Sequence, residues 1–179
     1  MILHRPSQTE QKLLVLYATH GLRSATSEQL LRFFVEQDLM NYIDLQIALA
    51  ELRESGFLMR QPHPLGVMYQ PTAEGDAALA MFLKRIPFSS RSKVDSVLSD
   101  WRDKFSYERH VFHKITPAEG GEADVRLVIM EESEKMMELS VRVPDMAAAE
   151  LIRDRWSDNA AAIYARIMNA LAEPISNID

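Results

Sequence analysis

Apolar residues recur at intervals of three and four along the first 55 residues, and this spacing predicts short amphipathic helices. Three such segments run from Ser7 to Gly21, from Thr26 through Val35 and from Met40 to Ser55. Ser7 and Glu10 have the spacing of a capping box, and Thr26 is placed to open the second helix. Gly21 is expected to cap the first helix at its C-terminus, and Gly56 to end the third.

A hairpin pattern follows the third helix. Residues 57–60 and 67–70 have the composition of two strands, and residues 61–66 between them hold prolines and a glycine that are expected to prevent regular pairing. Thr72 then caps a fourth helix. Three helices followed by strand, turn and strand are the order of a winged helix-turn-helix, so residues 1–87 are predicted to form that domain.

The second half of the chain changes period. Residues 88–92 are rich in serine and are expected to be a linker, after which a helical spacing returns. Apolar and polar residues then alternate in three runs, which predict strands around residues 111–115, 125–129 and 137–143. A long helix is predicted from Pro144 to Ala172. Residues 88–179 are therefore expected to form a three-stranded antiparallel sheet packed with helices, which gives the whole chain the α+β class.

The long last helix has the widest apolar side in the chain. The residues expected to be buried along it are Leu151, Ile152, Trp156, Ile163, Tyr164, Ile167, Met168 and Leu171. So wide an apolar side suits a helix that also packs against a second subunit. The residues expected to mediate dimerisation are Trp156, Ile163, Tyr164 and Ile167. The second half is interpreted as a dimerisation or sensing domain.

Composition restricts the class of protein. The 179 residues include no cysteine, which excludes disulfides and cysteine-bound zinc and is compatible with a reducing compartment. No apolar run approaches the roughly 18 residues of a membrane-spanning helix. The first residues lack the pattern of a signal peptide. A cytoplasmic protein without membrane association is predicted.

The charge distribution bears on nucleic-acid binding. The formal net charge is −6, with 8 basic and 9 acidic side chains in residues 1–85 and 12 and 17 in residues 86–179. DNA-binding proteins usually present a basic face, because neutralised phosphates supply much of the affinity. The half predicted to be a winged helix is less acidic than the other half, but it has no excess of basic side chains. This weakens a DNA-binding interpretation without excluding it.

The third helix has two different sides on a helical wheel. The side expected to pack on the first two helices is formed by Tyr42, Leu45, Leu49 and Leu52. The opposite side presents Met40, Ile43, Ile47, Ala50, Glu51 and Glu54. A base-reading helix normally offers hydrogen-bonding side chains at these positions. The apolar exposed side therefore also permits contact with a protein instead of DNA.

The polar candidates for DNA contact lie at the start of the second helix, on the third helix and in the wing. They are Ser24, Thr26, Ser27, Asn41, Gln46, Arg53, Arg60, Gln61 and His63. Hydroxyls and free backbone N–H groups at a helix start can hold a phosphate. Capping and solvation are the alternative roles of the same side chains.

No pattern in the sequence indicates catalysis. His110 and His113 lie three residues apart in a predicted strand and would point to opposite faces, so a shared metal ion is not expected. A Gly-rich phosphate loop, a nucleophile elbow and a paired-carboxylate motif are all missing from the sequence. The chain is predicted to be neither an enzyme nor a metalloprotein, and to need no cofactor.

Several short motifs resemble those of a known family. They are Met40-Asn41-Tyr42, Glu54-Ser55-Gly56, Thr72-Ala73-Glu74-Gly75, Arg85-Ile86-Pro87, Val143-Pro144 and Trp156-Ser157-Asp158-Asn159-Ala160. Over nearly its whole length the chain resembles an uncharacterised family of bacterial winged-helix proteins, defined as a domain of unknown function and presumed to regulate transcription. More distantly, the first half is similar to MarR- and PadR-type winged helices, where Gly56-Phe57-Leu58 has a counterpart.

The resemblance implies a homodimeric, DNA-binding transcriptional regulator. In this hypothesis the third helix is the recognition helix, residues 57–70 are the wing, and the partners are double-stranded DNA and a second copy of the chain. The alternative is a protein–protein adaptor in which the apolar exposed face of the winged helix contacts a protein partner. A ligand-binding domain with a vestigial winged helix is a third interpretation.

Overall fold

The structure is a computed structural model that describes residues 6–132 and 134–172. In those ranges it is a mixed α+β chain with six α-helices and two three-stranded antiparallel sheets. The predicted α+β class and the second antiparallel sheet are confirmed. The chain divides into two compact units, Met1–Phe105 and Ser106–Asp179, here called the first and second units.

The elements follow one another in a simple order. The first unit holds α1 (Gln8–Leu22), β1 (Ala25–Thr26), α2 (Ser27–Glu36), α3 (Tyr42–Glu54), β2 (Leu58–His63), β3 (Gly66–Pro71), α4 (Ala73–Phe82) and a 3₁₀ turn (Leu83–Arg85). Helix α5 (Phe88–His110) begins in the first unit and ends in the second. The second unit continues with β4 (Val111–Pro117), a 3₁₀ turn (Glu119–Gly121), β5 (Ala123–Glu131), β6 (Glu134–Val143) and α6 (Met146–Ala172).

Side-chain caps fix the starts of four helices. The Ser7 Oγ atom accepts the Glu10 backbone N–H at 3.3 Å, and the Glu10 carboxylate accepts the Ser7 backbone N–H. This pair of hydrogen bonds confirms the predicted capping box of α1. Thr26 and Thr72 cap α2 and α4, as predicted. Asn41 caps α3, because its Oδ1 atom accepts the backbone N–H of the third helical residue at 2.9 Å.

The end of α1 differs from the prediction. Gly21 lies inside the helix, and Arg23 is the C-cap, with φ of 66° and its N–H bonded to the His20 carbonyl at 3.1 Å. A Cβ atom added at Gly21 would lie 2.4 Å from the Leu98 side chain. The glycine therefore serves the close approach of α5 and not the termination of α1.

The hairpin extends further than the sequence indicated. Pro62 pairs with Val67 and His63 with Gly66, so the segment expected to be an irregular tip is part of the ladder. The strand order is β1–β3–β2, which makes β2 an edge strand. A proline is tolerated there because its missing N–H can be on the side without a partner strand. Strand β1 was not predicted, because two residues are too few for an alternating pattern to be recognised.

The expected linker at residues 88–92 is wrong, because these residues form the first turns of α5. The Pro87 carbonyl accepts the backbone N–H of Arg91 at 3.1 Å and so begins the helix. Val94, Trp101 and Phe105 of α5 are buried in the core of the first unit. For this reason the compact units divide after Phe105, and not after residue 87 as the sequence suggested.

The core of the first unit is aromatic at its centre. Phe33 and Phe34 of α2 are fully buried, and the Phe33 ring meets Trp101 edge to face at a centroid distance of 5.5 Å. Leu45 and Leu49 of α3 are also fully buried. This packing fixes the side of α3 that faces inward and thereby determines which side faces solvent.

The second unit packs one face of its sheet against α6. Its buried core includes Val125 and Leu127 of the central strand β5 together with Trp156 and Ala160 of α6. Helix α6 is interrupted at Asn159, where φ is −132° and ψ is 16°. The predicted burial of the apolar side of α6 is only partly correct, because three of its residues are exposed, namely Leu151, Met168 and Leu171.

Candidate functional site

The solvent side of α3 is apolar at its N-terminal half. Ile43 and Ile47 are 67% and 45% exposed, which confirms the side predicted for them, and Tyr42 is 57% exposed. Tyr42 was expected to be in the core and Met40 on the surface, but the reverse holds. The helix begins only after the Asn41 cap, so Met40 belongs to the preceding turn and the wheel does not apply to it.

Two acidic side chains of α3 are bound to α1. The Lys12 Nζ atom lies 2.8 Å from a Glu51 carboxylate oxygen, and the Gln11 amide donates to Asp44 at 3.2 Å. Glu51 was predicted to lie on the outer side, but it is half-buried against α1 and its charge is offset locally. The charges left at the exposed C-terminal end of α3 are Arg53 and Glu54, which lie 3.4 Å apart.

The start of α2 is held against the hairpin. Thr26 is buried, its Oγ1 atom accepts the Gln29 N–H at 3.2 Å, and β1 pairs with β3. Thr26 is therefore a structural cap and cannot be a surface contact, contrary to the prediction. The Ser27 hydroxyl is 3.4 Å from the Val67 carbonyl, and both Ser27 and Ser24 are half-buried. Of this predicted segment, only the two serines reach solvent.

The remaining candidates for DNA contact differ in exposure. On α3, Asn41 is exposed but is used as the cap, Gln46 is half-buried and Arg53 is exposed. In the hairpin, Arg60 and Gln61 are exposed.

The His63 side chain is partly turned toward its own turn, since its Nδ1 atom accepts the Leu65 N–H at 3.2 Å. Arg53, Arg60 and Gln61 are thus the most accessible of the predicted polar residues.

Sequence reasoning missed Tyr42 as a surface residue. The signal that could have revealed it was Asn41, a preferred N-cap residue type that shifts the start of the helix.

One of the four predicted dimerisation residues is not on the surface. Trp156 is 1% exposed, and its Nε1–H donates to the Phe112 carbonyl at 3.1 Å. It belongs to the core of its own unit, so its assignment to a dimer interface is wrong. A large aromatic residue in an amphipathic helix serves either role, and only the packing of β4 and β5 against α6 decides between them. Ile163, Tyr164 and Ile167 are half-buried.

A family model described as "Domain of unknown function (DUF4364)" matches residues 11–171. The chain belongs to this family. The resemblance to a domain of unknown function is thereby confirmed, and the family description assigns no activity. No curated protein and no solved structure shows a significant match to the chain.

The histidines of this DUF4364 member lie in different elements. His110 ends α5, with its Nδ1 atom 2.6 Å from the Ser106 carbonyl, so it is not in a strand as predicted. His113 lies in β4, where burial and then the charge of Arg153 lower its pKa below the ordinary 6.5, while Asp154 acts in the opposite direction. In the described part of the chain, no group of three or more His, Asp or Glu side chains is arranged to hold a metal ion.

The described helices do not meet the requirements of a membrane span. Across residues 6–132 and 134–172, none has both the length and the apolar character needed to cross a bilayer.

Proposed function

We propose that this DUF4364 protein is a DNA-binding transcriptional regulator whose first unit is a winged helix-turn-helix domain. In this proposal α3 is the recognition helix and the β2–β3 hairpin is the wing. The observation that carries the proposal is the β1–α2–α3–β2–β3 order with its β1–β3–β2 sheet. That arrangement supports a helix and an adjoining hairpin presented together, which is how such domains meet a DNA duplex.

The charges of the first unit are compatible with this role. Residues 1–105 carry 12 basic and 12 acidic side chains, whereas residues 106–179 carry 8 and 14. The Lys12–Glu51 pair removes one carboxylate from the outer side of α3. Arg53 and Arg60 are the exposed cations of the proposed recognition helix and wing, and they are suited to contact phosphates.

The proposed regulator is a cytoplasmic homodimer whose second unit dimerises or senses a signal. Two-fold symmetry would place two recognition helices about 34–36 Å apart, one turn of DNA. A second subunit also doubles the number of phosphate contacts, which compensates for a recognition surface with few cations. The dimer contacts proposed from the sequence reduce to Ile163, Tyr164 and Ile167, since Trp156 is part of the core.

Binding of the purified protein to fragmented genomic DNA tests the proposal. We expect recovery of a shared, roughly palindromic site and an affinity that falls steeply with salt. Arg53→Glu together with Arg60→Glu should weaken binding by about tenfold or more and reduce the salt slope by about one for each lost phosphate contact.

The matched control is Arg155→Glu with Arg166→Glu, which makes the same charge change at exposed positions of α6 in the second unit. The control should bind DNA as the unmodified protein does. Absence of any enriched fragment at low salt, with and without cell extract as a source of an effector, would contradict the proposal.

The second candidate function is a protein–protein adaptor. Ile43 and Ile47 lie one turn apart on the exposed side of α3 and form an apolar patch, and Tyr42 is exposed at the start of the same helix. Base edges are read mainly by hydrogen bonds, so this patch favours a protein partner at that end of the helix. An adaptor would retain its partner in the Arg53→Glu, Arg60→Glu variant, whereas a DNA-binding regulator would lose its site.

A further inference from the structure

Strand β6 is an open edge of the second sheet. The strand order is β4–β5–β6, so within the described residues β6 pairs with β5 on one side and has no strand on the other. It is 10 residues long, the longest strand of the sheet, and most of its side chains are exposed. A strand of this kind presents a row of backbone N–H and C=O groups that can pair with another chain.

The lysine and the register irregularity that protect β6 against such pairing lie at its start. Lys135 and the register shift opposite Met130 lie at that end. Residues 137–143 contain no proline and no lysine, and the side chains that point to the core face are apolar. The charged side chains of this regular part, Glu138 and Arg142, point to the outer face, so no proline, lysine or core-facing charge blocks edge-to-edge association there.

The core face of β6 is also incompletely covered. Leu139 pairs in register with the buried Leu127 and so lies on the face that packs against α6. Leu139 is nevertheless 36% exposed and is not part of the core of the second unit, whereas Met137 and Val141 on either side of it pack there. The core face thus remains open at the middle of the edge strand.

The sequence of β6 complements itself when two copies run antiparallel. With a two-fold axis at Ser140, Glu138 of each copy lies opposite Arg142 of the partner subunit on the outer face. These contacts would extend the ion pairs that Glu138 makes with Arg126 and Lys135, and Arg142 with Asp124, in their own subunit. Leu139 then lies opposite Val141 of the partner subunit on the core face. Moving the axis to Leu139 or Val141 loses both charge pairs, and moving it to Glu138 places two carboxylates opposite each other. Only the register at Ser140 satisfies charge and apolar pairing together.

We propose that the β6 edge binds a second copy of this chain, with the two-fold axis at Ser140 and one continuous six-stranded sheet. The inference rests on the homodimer of the proposed function and places its interface at β6, in place of the α6 contacts Ile163, Tyr164 and Ile167. Because the axis is perpendicular to such a sheet, both α6 helices lie on the same face of it. Paired backbone groups and the covered Leu139 side chains supply the driving force.

Cysteine cross-linking tests this register directly, since the chain has no cysteine of its own. Residues directly opposite in an antiparallel pair have Cα atoms about 4.5–5.5 Å apart, within the range that a disulfide spans. Ser140→Cys alone should therefore form a linked dimer on mild oxidation. Neither Glu138→Cys nor Arg142→Cys alone should form a linked dimer, because the two copies of the same residue lie about 13 Å apart along the strand. A mixture of the two variants should form a disulfide between Cys at position 138 of one subunit and Cys at position 142 of the other.

Light scattering after size exclusion supplies the second measurement. We expect a dimer at micromolar concentration for the unmodified protein. Ser140→Glu should weaken it by about tenfold or more, because two carboxylates would face each other across the axis. Within one subunit the new carboxylate lies opposite Arg126, so the fold should be retained. Ser99→Glu, at an exposed position of α5 in the first unit, is the matched control and should remain dimeric.

Two results would overturn the inference. One is a monomeric unmodified protein. The other is a dimer that Ser140→Cys does not cross-link and Ser140→Glu does not weaken, which would transfer the interface to the Ile163, Tyr164 and Ile167 side of α6. These measurements are made without DNA. Loss of the proposed DNA binding would therefore leave the β6 result standing, and a failed β6 result would leave the Arg53 and Arg60 test intact.

Discussion

Single residues were predictable where their interactions are local. Ser7, Thr26 and Thr72 cap helices because the backbone N–H that each accepts lies three residues along the chain. A candidate role in DNA contact could not be judged in the same way. Thr26 and Asn41 have side chains suitable for either role, and the structure uses both as caps. Burial of the first removes it from the surface altogether.

At the scale of single residues, His113 predicts how the free energy of unfolding depends on pH. Burial lowers the pKa of folded His113 below 6.5, so below that pH the unfolded chain binds a proton that the folded chain resists. The free energy of unfolding should therefore be fully retained above pH 6.5 and fall as the pH decreases, with a slope of at most about 1.4 kcal/mol per pH unit from this group.

Chemical denaturation at pH values between 8 and 5, in steps of about one unit, measures the free energy of unfolding as a function of pH. His113→Asn should remove this part of the pH dependence. His20→Asn, at an exposed histidine 2.8 Å from the Asp76 carboxylate, is the control and should keep it. A free energy of unfolding that depends on pH equally in His113→Asn and in the unmodified protein would contradict the assignment.

Whole elements were predictable where periodicity extends over several turns. The helices that begin at Gln8, Ser27 and Ala73 and the strand ending at Val143 lie close to where the pattern indicated. The serine-rich start of α5 was mistaken for a linker, because serine is common both in loops and in the first turn of a helix. The hairpin tip was misjudged for a related reason, since proline is excluded only from central strands.

The start of α4 provides a prediction for an element. Gly75 lies in its first turn, and an added Cβ atom would be 2.2 Å from the Phe57 carbonyl oxygen, which accepts the Thr72 N–H at 3.0 Å. Gly→Ala normally stabilises a helix by about 1 kcal/mol. Here the backbone contact should reverse the sign, and Gly75→Ala should lower the free energy of unfolding by about 1–3 kcal/mol.

Thermal and chemical denaturation would measure the change. Glu74→Ala, at the adjacent exposed position of α4, is the matched control and should leave stability within about 0.5 kcal/mol. An increase in stability for Gly75→Ala would show that α4 does not approach the Phe57 carbonyl so closely.

At the scale of the whole molecule, the acidic charge is concentrated in the second unit. With the first unit balanced in charge, affinity for DNA would depend on two first units acting together. The proposed regulator and the β6 dimer are thus linked, because pairing through β6 would hold two recognition helices in one particle.

This link predicts a dependence on half-site spacing. The unmodified protein should bind best when two half-sites are separated by about 10–10.5 base pairs, and inserting about 5 base pairs should weaken binding. Ser140→Glu should bind more weakly and lose the dependence on spacing, whereas Ser99→Glu should keep it. Gel-shift titration against a set of spacer lengths measures both, and an equal dependence in Ser140→Glu would contradict the link.

The sequence by itself determined the capped starts of α1, α2 and α4, the alternating strands and the α+β class, because these depend on hydrogen bonds and periodicities within a few residues. Only the tertiary structure decided that α5 completes the first core, that Trp156 is buried, that Glu51 is paired with Lys12, and that β6 is an open edge. These properties depend on which distant segment packs against a given side chain. Amphipathic spacing indicates that one side of an element is apolar, but it does not identify the segment that packs against that side.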